Sequence, residues 1–269
     1  MRLDKFVWNL KVLRSRLGSW IFYLRHAPRT YSNWAYMIAS KFDSNPGTLI
    51  LRDGSKFRIR PKTSDRATIN EVFIAKPYTP DQSFAIAEGD HILDIGANIG
   101  AFTVYAARIA KEEGIVYSVE PVASNFSALE ENVKLNNLRN VRLLRAAVGG
   151  HKGFATIESR GSSSSVVWHS GGFRDRVKQI TLRSLVDQIR RVDLLKMDCE
   201  GAEYDILLST NTECLRSIRR IAMEYHNVSS DLCGETLKRH LETAGFRVTC
   251  TGTEWTGTIY AVNRAADDR

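Results

Sequence analysis

From residue 89 onward, short apolar runs of strand length alternate with longer amphipathic stretches, and this limits the fold more than any other feature of the chain. "HILDIG", "GIVYSVEP", "NVRLLRAAVG", "VDLLKMDCEG" and "IRRIAMEYHN" read as buried strands. "AFTVYAARIAKEE", "SNFSALEENVKLNNL", "LRSLVDQI", "AEYDILLST" and "GETLKRHLETAG" read as helices, the second opened by Ser124 as a cap. "FRVTCTG" and "TIYAVNR" close as an antiparallel pair. Strands buried on both faces are continuously apolar, and intervening helices supply the crossovers that parallel strands need. The expected fold is a doubly wound, mostly parallel α/β sheet of seven strands with an antiparallel last strand. Ligands in such sheets lie beyond the carboxyl ends of the strands. The serine- and glycine-rich stretch Glu158 to Arg176 is expected to be a mobile loop.

The preceding residues have a different character. Residues 1–60 hold twelve Lys/Arg against three Asp/Glu, and the rest of the chain holds 26 against 27. The whole excess of +8 therefore lies in the first 60 residues. Phe6, Leu10, Leu13, Leu17, Trp20, Ile21 and Leu24 recur at helical steps in a basic amphipathic segment, residues 1–42. Three readings stand for it: packing on the body, peripheral contact with an anionic membrane surface, and nucleic-acid binding. Asp53-Gly54 between alternating runs predicts a hairpin with a two-residue turn. "TSDRATINEVFIAKPY" predicts a helix capped near Thr63 or Ser64 that brings Glu71 and Tyr78 toward the body. The expected divisions are residues 1–45, 46–88 and 89–269. No apolar run approaches the roughly 20 residues that span a bilayer. Four scattered cysteines read as reduced thiols of a cytoplasmic protein.

"ILDIGANIGAF" is a glycine turn between a strand and a helix, the setting of a nucleotide cofactor. A dinucleotide site wants G-x-G-x-x-G, but here the three positions are Gly96, Asn98 and Ala101. Asn98 tolerates the left-handed backbone of a turn, yet its side chain crowds a pyrophosphate. Asp94 at the strand end suits a cofactor carrying a cation. S-adenosylmethionine, with an ammonium, a sulfonium and a ribose diol but no phosphate, meets these demands. Asp94 would attract its cationic end, Gly96 and Gly100 would let backbone amides approach, and Glu120 would accept the ribose hydroxyls.

Asp198, Glu200 and Glu203 follow the fourth strand, and Glu224 and His226 end the fifth. Methyl transfer from a sulfonium is an in-line displacement, and a hydroxyl acceptor must also lose its proton. His226 or Asp198 is the candidate general base, with Glu200 a further active-site residue. These side chains offer oxygen and imidazole donors, but nothing in their spacing demands a metal.

"LDIGANIGAFT", "VEPVASNFSALEENVKLNN" and "VDLLKMDCEGAEYDIL" followed by "MEYH" together resemble the FkbM-type methyltransferases, over about residues 66–250. The resemblance implies a class I S-adenosylmethionine fold of Rossmann-like type and methyl transfer to a hydroxyl of a carbohydrate, glycan or natural product. It implies cofactor contacts at Asp94, Gly96, Asn98, Gly100 and Glu120, and active-site roles for Asp198, Glu200 and His226. Glu71, Tyr78 and Trp168 are expected to line the acceptor. The rival readings are an RNA methyltransferase, disfavoured because the body carries no net positive charge, and a non-catalytic membrane-associated scaffold.

Overall fold

A computed structural model describes residues 25–40, 44–160, 163–165 and 173–266. The stripe from Phe6 to Leu24 lies outside them, as do Trp168 and His169 of the expected acceptor loop. The chain divides into two compact units, at residues 1–62 and 63–269.

In the first unit, helix α1 (Trp34–Ala39) precedes strands β1 (Gly47–Ile50) and β2 (Lys56–Ile59). The strands pair antiparallel with Leu49 opposite Phe57. The connection is one residue longer than the expected turn: Leu51 N–H bonds to Ser55 O at 2.8 Å, and Gly54 adopts φ +86°. A type I turn followed by a left-handed glycine is the usual three-residue solution. Tyr31, Leu49, Leu51 and Phe57 form its buried interior.

The second unit begins with α2 (Asp65–Asn70), which widens into a single π-helical turn, Glu71–Ala75. Seven strands then build the main sheet: β3 (His91–Ile95), β4 (Ile115–Val119), β5 (Val141–Leu144), β10 (Leu194–Met197), β11 (Arg220–His226), β12 (Phe246–Gly252) and β13 (Thr256–Asn263). Their spatial order is β12-β13-β11-β10-β3-β4-β5, and β13 runs antiparallel to both neighbours. The chain winds outward from β3 in one direction through β4 and β5, then returns to add β10 and β11 on the other side. The β3–β10 junction is therefore the switch point, where such sheets hold ligands. Helices α3 (Ala101–Ala110), α4 (Ala123–Leu135), α5 (Leu182–Ile189), α6 (Glu203–Ser209), α7 (Thr212–Arg216) and α8 (Gly234–Thr243) accompany it. Leu93, Leu195, Ile221, Leu207, Leu237 and Phe246 are fully buried in one continuous core.

Two expectations are corrected. Ser124 lies inside α4, whose cap position is Val122, so it is not the cap. The stretch Glu158 to Arg176 is not simply a loop. Strands β6 (Ala147–Val148), β7 (Gly153–Arg160), β8 (Ser163–Ser165) and β9 (Phe173–Ile180) form a second sheet in the order β6-β9-β7-β8. Its β7–β9 pairing includes Glu158 opposite Arg174. The sheet buries a small cluster, Ala147, Ala155, Ile157 and Val177, with alternation too sparse to stand out among polar residues.

Arg220 of β11 ties the segment before β3 to the sheet. Its guanidinium meets Asp90 Oδ2 at 2.8 Å and also donates to the carbonyls of Asp193, Ser83 and Ala85. Both charges are buried. Arg220→Met leaves the Asp90 carboxylate unpaired and is expected to cost about 3–5 kcal/mol. Denaturant unfolding with an unchanged m-value would register this loss; an unchanged midpoint would contradict it.

Candidate active site

The glycine turn is shaped by what crowds it. Gly96 has φ +75°, and a Cβ there would lie 1.8 Å from the backbone oxygen of Asp198. Only glycine lets the ends of β3 and β10 approach this closely. Asn98 adopts φ +52°, as expected, and its N–H donates to Glu120 Oε2 at 2.8 Å. Gly100, with φ +84°, opens α3. The buried Asn132 of α4 donates to Ile99 O at 2.8 Å and holds the turn from behind.

Glu120 closes β4. Its Oε1 accepts the Val122 N–H at 2.9 Å, so each carboxylate oxygen takes one backbone donor and keeps a lone pair. Burial pushes its carboxyl up to about 7, against the opposing effect of these bonds.

Asp94 is placed differently from the expectation. It is fully buried and does not line the cavity. Its Oδ2 accepts from Thr103 Oγ1 at 2.7 Å, and its Oδ1 is 3.2 Å from Lys196 Nζ. Lys196 also donates to Gly96 O at 2.8 Å and sits 5.1 Å from the centre of the Tyr78 ring. Burial pulls its ammonium down, but Asp94 and Asp198 outweigh that and hold it up at about 12. Sequence reasoning missed Lys196, although a lysine inside the apolar strand "DLLKMD" signals a buried cation with a partner.

A cavity of about 480 Å³ opens at the switch point. Gly96, Asn98 and Glu120 line one side, and Glu71, Tyr78, Asp198, Glu200 and Glu224 line the other. Glu71 starts the π-helical turn. Tyr78 donates to Asp198 Oδ2 at 3.1 Å, and its hydroxyl is also 3.5 Å from Glu71 Oε1. Burial first, then Asp198 and Glu224, push the Glu71 carboxyl up to about 7.

His226 does not line the cavity. Its Nδ1 lies 3.6 Å from Glu203 Oε1, and its Nε2 lies 3.7 Å from Glu224 Oε1 and 3.8 Å from Glu200 Oε2. Glu203, fully buried, also accepts the N–H groups of Cys199 and Gly201 and so braces the loop after β10. The Glu203 carboxylate above all, with Glu200 and Glu224, pushes the imidazole up to about 9 despite its burial. At neutral pH it is a cation, with no free lone pair to act as a base. Among the described residues, no three His, Cys, Asp or Glu side chains are grouped to hold a metal ion.

Comparison with known proteins agrees with this architecture. Residues 94–248 match the methyltransferase FkbM domain. Methyltransferase 1 of Beauveria bassiana is 28% identical over 214 residues, covering 69% of this chain and 82% of that protein. Methyltransferase sdnD of Sordaria araneosa is 26% identical over 226 residues, covering 70% and 86%. The structure of methyltransferase FkbM from Methylobacillus flagellatus shares the fold, with a TM-score of 0.50 at 15% identity over 74% of this chain and 53% of that one.

The His226 cluster predicts a pH dependence. Its folded value near 9 lies above the ordinary 6.5 of an unfolded histidine. The stabilisation is therefore complete below about 6.5 and is lost as pH rises through about 9. The stability advantage of wild type over His226→Gln should be greatest near pH 6 and shrink across that window. An advantage that stays constant in chemical denaturation from pH 6 to 9 contradicts the assignment.

Proposed function

The chain belongs to the FkbM methyltransferase family, and from that premise we propose that it transfers a methyl group from S-adenosylmethionine to a hydroxyl of a carbohydrate, glycan or other natural product. S-adenosylmethionine supplies an electrophilic methyl on a sulfonium. The residues present fit it. Glu120 offers free lone pairs to a ribose diol, the turn from Gly96 to Gly100 exposes backbone at the switch point, and no phosphate cradle is needed. Asp94 contributes indirectly, by holding Lys196 against the Gly96 carbonyl.

The observation that carries the hydroxyl reading is the acidic wall. Glu71, Asp198, Glu200 and Glu224 face the cavity, while Lys196, the lysine that lines it, is committed to Asp94. Carboxylates accept hydrogen bonds from a polyhydroxylated acceptor and can take its proton. They repel phosphate, which disfavours an RNA acceptor. They would also hold an amine protonated and non-nucleophilic, which favours oxygen over nitrogen. Of the two candidate bases, His226 is held as a cation and serves as a positioning residue for Glu200, Glu203 and Glu224. Asp198 stands in the cavity itself.

Calorimetric titration tests the cofactor. S-adenosylmethionine and its demethylated product should bind and NAD should not. Glu120→Gln should weaken binding roughly 10- to 100-fold, the worth of a hydrogen bond to a charged group. Labelled methyl transfer onto panels of saccharides and phenols should then give alkali-stable ethers. Binding of NAD, or label appearing only on nitrogen, rejects the reading.

A further inference from the structure

The carboxylates of the cavity are not equivalent, and the difference starts from backbone geometry. At the π-helical turn, Lys76 N–H bonds to Glu71 O five residues back, at 2.8 Å. Such turns are rare and concentrate at functional sites. Glu71 opens this turn and lines the cavity on the same helical face as Ser64, Ala67 and Thr68. Tyr78 stands between it and Asp198, with its ring edge against Phe102 at 5.6 Å between centroids. Asp198 Oδ2 is thus already engaged by the tyrosine, at 3.1 Å, whereas the contact to Glu71 is a looser 3.5 Å.

We propose that Glu71 is the proton acceptor of methyl transfer, with Asp198 orienting the acceptor hydroxyl and Tyr78 fixing the spacing of the two carboxylates. This rests on the hydroxyl-methylation reading above. The acceptor O–H bond breaks and its proton passes to a Glu71 carboxylate oxygen. The electron pair left on the acceptor oxygen forms the new O–CH3 bond, and the pair of the broken C–S bond stays on sulfur.

The groups facing Glu71 make this exchange directional. Asp198 after β10 and Glu224 of β11 raise its proton affinity in addition to burial, while Lys196 of β10 and the Tyr78 hydroxyl lower it. Near neutral pH Glu71 is therefore balanced between its two forms. A cation brought into the cavity tips it toward the carboxylate. The sulfonium is such a cation and the product thioether is not, so Glu71 is ionised before transfer and keeps the proton afterward.

The protein with each cofactor form should therefore differ in bound protons, and this can be read without an acceptor. S-adenosylmethionine and its demethylated product are titrated calorimetrically at pH 7 in buffers of different ionisation enthalpy. The sulfonium ligand should release about half a proton more than the thioether. Glu71→Gln should abolish that excess while both ligands still bind. Tyr78→Phe, which removes the hydroxyl between Glu71 and Asp198 and leaves the two carboxylates to repel each other, should move the excess to higher pH and provides a second readout if the first variant folds poorly. Equal release by the two ligands in wild type, or an excess that survives Glu71→Gln, overturns the proposal alone. Failure of S-adenosylmethionine to bind overturns it together with the functional reading.

Discussion

A buried ion pair sets the register on which the site depends. Lys196 and Asp94 are opposite one another in the parallel β10–β3 ladder, and both are almost wholly buried. Either charge alone would cost several kcal/mol in such an environment, so the pair penalises any slip between the strands. The ammonium then reaches one step further to Gly96 O. From the other side, the Asp198 carbonyl fills the space where a Cβ of Gly96 would stand. The two strand ends that flank the switch point are thereby fixed against each other, and the cavity mouth inherits that rigidity.

The same pairing decides the electrostatics of the cavity. Because Lys196 is paired with Asp94, it only partly balances the carboxylates beyond it. Glu71 and Glu120 are pushed up to about 7, Glu71 in part by its acidic neighbours. A second charge system sits behind, where His226 is the shared cation of Glu200, Glu203 and Glu224. One histidine cannot offset three carboxylates, and Glu200 and Glu224 both stay above their ordinary range, chiefly through burial. The cavity therefore favours ligands that bring positive charge or hydroxyl hydrogens, and the cofactor brings both.

The main sheet was legible because its inner strands are continuously apolar and its glycine turn marks the first crossover. Glu120 and Asp198 were legible for a related reason: strand ends announce themselves, and strand ends line the crevice. What escaped depends on contacts remote in sequence. Asp94 has the right chemistry for a cationic ligand, but its partner arrives only with β10, and the sequence around Asp94 carries no trace of it. The raised proton affinity of His226 follows from three carboxylates, on α6, on β11 and on the loop after β10. The π-helical turn at Glu71 has no local signature, since "INEVFIA" suits an ordinary helix equally well. The second sheet was hidden because few of its positions are apolar and buried, while Thr156, Arg176, Lys178 and even Phe154 are exposed.

Charge offers a sharper lesson about scale. The chain as a whole carries +8, which invites a search for an anionic partner. The cavity has the opposite character, since among the described residues its charged lining is one committed lysine and five carboxylates, Glu71, Glu120, Asp198, Glu200 and Glu224. At physiological ionic strength exposed charges are screened beyond about 8 Å, whereas half-buried groups in a cleft interact through a poorer dielectric. The sign that a bound acceptor experiences is therefore set by these few side chains and not by the total. The net charge of residues 1–60 is therefore no guide to the ligand that the acidic cavity favours.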